Sequence, residues 1–196
     1  MRQRLRIFSD KGMNVVQWSS MDNADKLSPE ETKTLLFLLS KFSPGFLPFD
    51  IFNEIARICV LAPIEVIPFR KTERGVEVLL TKRPETDPFW GGLFHFPGTI
   101  VRATDTDDTF ATQFKRIFND ELKGLNTTKP EYFRTQFQHL SRGAVVTTIF
   151  WVEVKEEPKV GTFFPVKELP ENIIEYHAEN VRLAAEVFEK SKTERQ

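Results

Sequence analysis

Glu121, Asp120 and Arg116 close a glycine-led stretch, Gly98 to Leu125 (GTIVRATDTDDTFATQFKRIFNDELKGL), and are side chains suited to a divalent metal and a phosphate. A helix that begins near Asp107 or Asp108 turns about 100° per residue, which places Phe110, Phe114 and Ile117 on one stripe with Glu121 on the same stripe. The stripe faces the core, so the Glu121 carboxylate is expected to face inward. An unpaired buried carboxylate costs several kcal/mol, and the position calls for a cation, a partner arginine or a wet cleft. Asp120 and Arg116 can reach the same helix edge. Two plainer readings stand beside this one. The acids could be solvated groups near a helix C-terminus, where the dipole disfavours them, and Arg116 could pair with Asp120 at i,i+4. Asp105, Asp107 and Asp108 suit a helix N-terminus and need no metal.

The elements that must position this helix lie on both sides of it. Upstream the period changes to 2 at Glu65–Arg70, turns at Thr72 to Gly75 and resumes at Val76–Arg83, which predicts a hairpin. Arg83 at the strand end is suited to a phosphate or an acid. The loop that follows carries Trp90 and Phe94, which can stack on a base or plug the core. Downstream, Tyr132–His139, Ala144–Val154 and Thr162–Pro165 read as strands and Ile173–Lys190 as a closing helix, with His177 at its cap.

This arrangement resembles the Nudix box, in which a glycine, five residues, a glutamate and seven residues lead to R-E-U-x-E-E-x-G-U, U being a bulky apolar residue. Arg116-Ile117-Phe118-Asn119-Asp120-Glu121-Leu122-Lys123-Gly124 matches the arginine, the apolar position and the later acids. Ile117 stands where the first metal-binding glutamate belongs, and Lys123 is one extra residue before the glycine. The stretch from Arg83 through Trp90-Gly91-Gly92 to Phe96-Pro97-Gly98, and the ending FFPVKELPENIIEYHAENVRLAAEVF, also resemble the family. The resemblance spans roughly residues 64 to 190. It implies an α/β Nudix fold, a mixed β-sheet sandwiched between helices, with an N-terminal helical extension: residues 1–62 the extension, 63–196 the Nudix domain.

Within the superfamily the pattern is most similar to the GDP-mannose mannosyl hydrolase branch, which also lacks the first glutamate. Carried over residue by residue, the resemblance implies that Glu121, with Asp120 and the Gly98 carbonyl, binds Mg²⁺, with Mn²⁺ as a substitute. It further implies that Arg116 and Arg83 hold a diphosphate and that His139 contacts substrate; Arg102 stands in for the branch arginine at Ile100, and Trp90 lines the site. The branch takes its general base from a histidine in the loop that corresponds here to Glu156–Gly161, which has none. Attack on phosphorus by a metal-bound water remains open. The expected activity is Mg²⁺-dependent hydrolysis of a nucleoside diphosphate linked to another moiety, such as a nucleotide sugar. The alternatives are a catalytically inactive Nudix domain that binds a nucleotide or protein partner, favoured by Ile117, and an interaction protein whose N-terminal helices form the partner surface.

Composition bounds these readings. The 196 residues are 40% hydrophobic, enough for one good core and a small appendage. Lys and Arg total 27 against 28 Asp and Glu, a net charge of -1 that gives no sign of a nucleic-acid partner. The one cysteine, Cys59, is expected as a small core residue in a reducing compartment. No apolar run approaches the ~18 residues of a membrane span and the N-terminus has no signal-peptide core, so the expectation is a cytoplasmic chain that does not engage membranes. Residues 1–26 alternate short apolar and polar groups around Gly12, which suggests a hairpin. Ser28-Pro29-Glu30-Glu31 is a helix start with a capping box, followed by leucines to about Lys41. Pro48 opens a second helix with Phe49, Phe52, Ile55 and Ala56 on one face. These helices are expected to cover the main domain; a homodimer surface is the functional alternative.

Overall fold

The structure is a computed structural model that describes residues 27–45 and 47–193, together with the backbone of two short strands near the N-terminus. Those strands, β1 (Arg6–Ile7) and β2 (Asn14–Val15), pair antiparallel. The rest of the hairpin expected in residues 1–26 lies outside the described residues. The chain divides into two compact units, Met1–Ser43 and Pro44–Gln196.

In the first unit the helix α1 (Pro29–Leu39) begins where the capping box predicts it. The Ser28 hydroxyl accepts the Glu31 N–H at 3.2 Å and the Glu31 carboxylate accepts the Ser28 N–H at 2.7 Å, so two of the helix's orphan donors are satisfied reciprocally.

The second unit opens with α2 (Phe49–Ile58), which the sequence reading assigned to the extension. Its Ala56 is fully buried, and the backbone of Gly143 comes so close that a Cβ there would lie 2.1 Å from the Ala56 carbonyl oxygen. Only glycine permits that approach. Cys59 caps α2 in extended conformation and is exposed, not the core residue expected, because the helix ends before it can turn that position inward.

The sheet follows. The strands are β3 (Pro63–Thr72), β4 (Gly75–Lys82), β5 (Phe94–His95), β6 (Gly98–Ile100), β7 (Glu131–Leu140), β8 (Gly143–Glu153) and β9 (Thr162–Pro165). Their order is β5-β4-β3-β8-β7, with β6 added to the start of β3 and β9 to β4. β3 is central: it runs parallel to β8 and antiparallel to β4 and β6. A strand covered on both faces reads as a continuous apolar run, and residues 63–69 are all buried.

Alternation along β3 sends Ile67 and Phe69 to one core and Ile64 and Val66 to the other. The first core is closed by α4 (Glu175–Thr193) through Val181, Ala184, Ala185 and Phe188. The second is closed by α3 (Ala111–Arg116) and the wider π-helical turn Ile117–Glu121 through Ile117 and Leu122, with Phe110, Phe114 and Phe118 packed against it. This is the mixed sheet between helices that the sequence suggests. Among the described residues no helix is long and apolar enough to cross a membrane.

Candidate active site

Gly98 organises the site. It pairs with Glu65 across the β3–β6 ladder, and a Cβ on it would lie 2.7 Å from the Glu65 Cγ and 3.1 Å from the Ile64 carbonyl oxygen. The Gly98 N–H donates to Glu121 Oε2 at 3.3 Å. A residue without a side chain thus lets a strand acid and a helix acid approach the same strand end. Glu65 shares the strand face of Ile67 and Phe69, turned toward α4, and is 8% exposed.

The helix that delivers Glu121 differs from the uniform one expected. It starts at Ala111, not near Asp107 or Asp108, because the Asp107 carboxylate caps it, accepting the N–H of Ala111 at 2.8 Å and of Thr112 at 3.1 Å. Phe110 precedes it in left-handed conformation at φ 58°. Ile117 is fully buried, and Glu121 is half-buried at the end of the π turn.

Both acids sit where ionisation is disfavoured. Burial pushes Glu65 up to about 8, with the nearby Glu121 charge adding to it, and burial pushes Glu121 up to about 7. Glu65 Oε1 accepts the Tyr176 hydroxyl at 3.4 Å and lies 3.8 Å from His177 Nε2, while the buried Oε2 has no partner. His177 is more than the cap residue expected: it lies in the first turn of α4, but its ring is buried and its Nδ1 accepts the Phe96 N–H at 3.3 Å. That bond assigns the ring proton to Nε2, facing Glu65. Burial holds His177 well below its ordinary value and, with the Arg83 charge, holds His95 down to about 4, so both rings are neutral.

Two arginines flank the acids. Arg83 ends the β4 edge and donates from Nε to Asp87 Oδ2 at 2.8 Å; Asp87 Oδ1 accepts the N–H of Phe89 and of Trp90 at 2.9 Å each, which fixes Trp90 beside Arg83. The Arg83 guanidinium lies 5.5 Å from the Trp90 ring centre and its charge acts on both Glu65 and Glu121. Arg142, from the β7–β8 turn, reaches the same ring at 5.4 Å.

The other expected site residues fall differently. Arg116 does not pair with Asp120. Its Nη1 donates to Asp105 Oδ1 at 2.6 Å, and Nη2 to Asp105 Oδ2 at 2.9 Å and the Ile100 carbonyl at 3.1 Å, so it ties the helix to the loop after β6. Asp105 is nearer in space than any acid one turn along, and its bonds with Arg116 hold it well below the usual carboxylate range. Arg102 belongs to that loop, with its N–H on Asp105 Oδ2 at 2.8 Å. Asp120 is exposed, and its carbonyl accepts Lys123 Nζ at 2.7 Å. His139 is exposed on β7 with its ring against Phe137, because alternation turns it to the opposite face from Gln136 and Gln138. Phe94 packs on the α4 core against Phe164.

Sequence reasoning missed Glu65, Tyr176, His177 and Arg142 as members of the site. Glu65 carried a usable signal, an acid set inside the apolar run Ile64 to Phe69. The others are brought in only by tertiary packing.

No family model matches the sequence, and no curated protein does. Solved structures do. The NUDIX domain of Shewanella oneidensis NrtR, in complex with ADP ribose, superposes with a TM-score of 0.52 at 16% identity, over 78% of this chain and 97% of that one. A C. elegans Ap4A hydrolase gives 0.51 at 11% identity over 66% of this chain and 99% of its own. The C-terminal domain of mouse MUTYH, bound to human PCNA, gives 0.52 at 11%, over 69% and 91%. The chain has the Nudix fold.

Proposed function

We propose that this chain is a divalent-metal-dependent hydrolase of a nucleoside diphosphate linked to another moiety. The observation that carries the reading is the meeting of Glu65 and Glu121 at Gly98, one acid buried and the other half-buried. Among the described residues no group of three or more His, Cys, Asp or Glu side chains is arranged to hold a metal. Two carboxylates nevertheless fit Mg²⁺ or Mn²⁺, because diphosphate oxygens and water complete the shell. The unpartnered Oε2 of Glu65 supports the same fit. Glu121 and Glu65 would hold the ion with the Gly98 carbonyl; Asp120, exposed, would contribute charge alone.

When bound, the ion would neutralise phosphate charge and acidify a water. The chain's own residues supply the rest. Glu65, ionised once a cation lies beside it, would offer its unpartnered Oε2 to the ion while the Tyr176 hydroxyl holds Oε1. Arg83 would hold phosphate oxygens, oriented by Asp87, and Trp90 would stack on a planar group of the substrate. Arg116 would set the angle of the helix through Asp105. Attack is at phosphorus, since the loop at Glu156–Gly161 lacks the histidine that sugar-carbon cleavage in the GDP-mannose branch uses. ADP-ribose, a dinucleoside polyphosphate and a GDP-sugar are the substrate classes to try first.

A second reading is an inactive Nudix domain that binds a nucleotide or a protein. Ile117 favours it, a buried apolar residue where the family pattern has a metal-binding glutamate. Neighbours of the same fold were solved with ADP ribose and with PCNA. Mg²⁺-dependent release of nucleoside monophosphate from the three substrates, in wild type and Glu121→Gln, separates the readings. Turnover in wild type and its loss in the variant supports the hydrolase. Equal turnover removes Glu121 as a ligand, and metal-independent binding without turnover supports the second reading.

A further inference from the structure

Arg142 is a half-buried cation with no ion-pair contact among the described residues. It leaves the β7–β8 turn, where Gly143 lies against the Ala56 carbonyl of α2, and its guanidinium lies near two rings, 5.2 Å from Phe52 of α2 and 5.4 Å from Trp90. Its Nε–H is closed off from water and has no hydrogen-bond partner. Among the described residues no carboxylate lies within ion-pair distance of it. Arg83, by contrast, which lies against the same Trp90 ring, is matched by Asp87.

A guanidinium that gives up water without an ion-pair contact is costly, and a second arginine beside it adds repulsion that the more distant charges of Asp87 and Glu65 only partly offset. Ring faces offset part of that cost, and they also fix the plane of the fork. What fits the remaining donors is a group with several closely spaced anionic oxygens, which a guanidinium takes bidentately. Among the described residues no carboxylate pairs with the fork, which leaves its donors to a ligand.

We propose that Arg142, beside Phe52 and Trp90, is an anion subsite for a phosphate group of the substrate, so that α2, which precedes the sheet, forms one wall of the substrate site. The inference rests on the hydrolase reading for its substrate class but not on turnover. Arg83 and Arg142, both set against Trp90, then hold phosphate oxygens, while the two acids face the scissile group. Hydrophobic truncation of α2 at Phe52 loosens the fork without touching Glu65 or Glu121.

The test is binding of inorganic pyrophosphate in metal-free buffer, followed by NMR at the arginine side-chain Nε–H groups. In wild type the Arg142 Nε–H signal shifts and saturates; Arg142→Gln binds at least about ten-fold more weakly, as loss of charged hydrogen bonds implies, at unchanged melting temperature. Phe52→Ala weakens binding in the same direction, and Glu121→Gln binds as wild type although its turnover is lost. No shift of the Arg142 signal in wild type overturns the proposal, and so does an equal shift with sulfate at the same ionic strength or an unchanged affinity in Arg142→Gln. A shifted Arg142 signal in a protein that hydrolyses none of the substrates removes the hydrolase reading and leaves the subsite.

Discussion

The Glu65 Cγ occupies space that any side chain on Gly98 would need, 2.7 Å from the Cβ position, and this contact decides where both site acids sit. Gly98→Ala must move Glu65 or bend β6 away from β3. Overpacking of this kind costs about 1–3 kcal/mol, which for a chain of this size lowers the melting temperature by several degrees. Thermal unfolding measures the cost. Loss of Mg²⁺-dependent turnover beyond the loss of folded protein would show that the glycine serves the acids as well as the ladder.

Arg116 and Asp105 form a nearly buried pair, with side chains 15% and 4% exposed and Nη1 to Oδ1 at 2.6 Å. Removal of one partner leaves the other charged and desolvated, a loss of about 3 kcal/mol or more. Asp105→Asn and Arg116→Met are each expected to be strongly destabilising. The double variant should lose less than the sum, and a double-mutant cycle by urea unfolding gives the coupling. If Asp105→Asn left stability unchanged, the pair would not be what fixes the helix.

The sequence made the period-2 hairpin, the amphipathic stripe ending at Glu121 and the Ser28 cap legible, because each is a local pattern with one physical solution. It made less of the site legible. Asp105 lies eleven positions from Arg116 and wins its guanidinium over Asp120, which is nearer along the chain, because the loop after β6 folds back onto the helix. The π turn at Ile117–Glu121 leaves no mark on the hydrophobic pattern. His139 looked like a substrate contact by resemblance alone, while Arg142, three residues on, reaches the site through a turn whose direction depends on Gly143 meeting α2.

The two acids also make stability depend on pH. In the folded chain burial holds Glu65 up to about 8 and Glu121 up to about 7, against an ordinary 4.5. A carboxyl group with a raised value keeps a proton that the unfolded chain has lost, so its contribution is present at low pH and disappears as pH rises through the folded value. His95 and His177 act in the opposite sense below 6.5, where the unfolded rings charge first and the folded rings stay neutral. The acids therefore dominate between pH 6.5 and 8. There stability falls with rising pH, by at most roughly 1.4 kcal/mol per unit for each acid. Urea unfolding across this window should show the slope, Glu65→Gln should flatten most of it, and added Mg²⁺ should stabilise more at pH 8 than at 6.5.

The hydrolase reading depends on one ion held between Glu65 and Glu121. Substoichiometric Mn²⁺ tests this without any substrate, through the distance-dependent broadening of backbone amide signals in a two-dimensional NMR spectrum. The account predicts that the Gly98 amide and its neighbours on β3 and the π turn broaden first, and that Glu121→Gln abolishes the effect. Broadening centred on Asp107 and Asp108 at the start of α3, or none near Gly98 at any Mn²⁺ concentration, would contradict it.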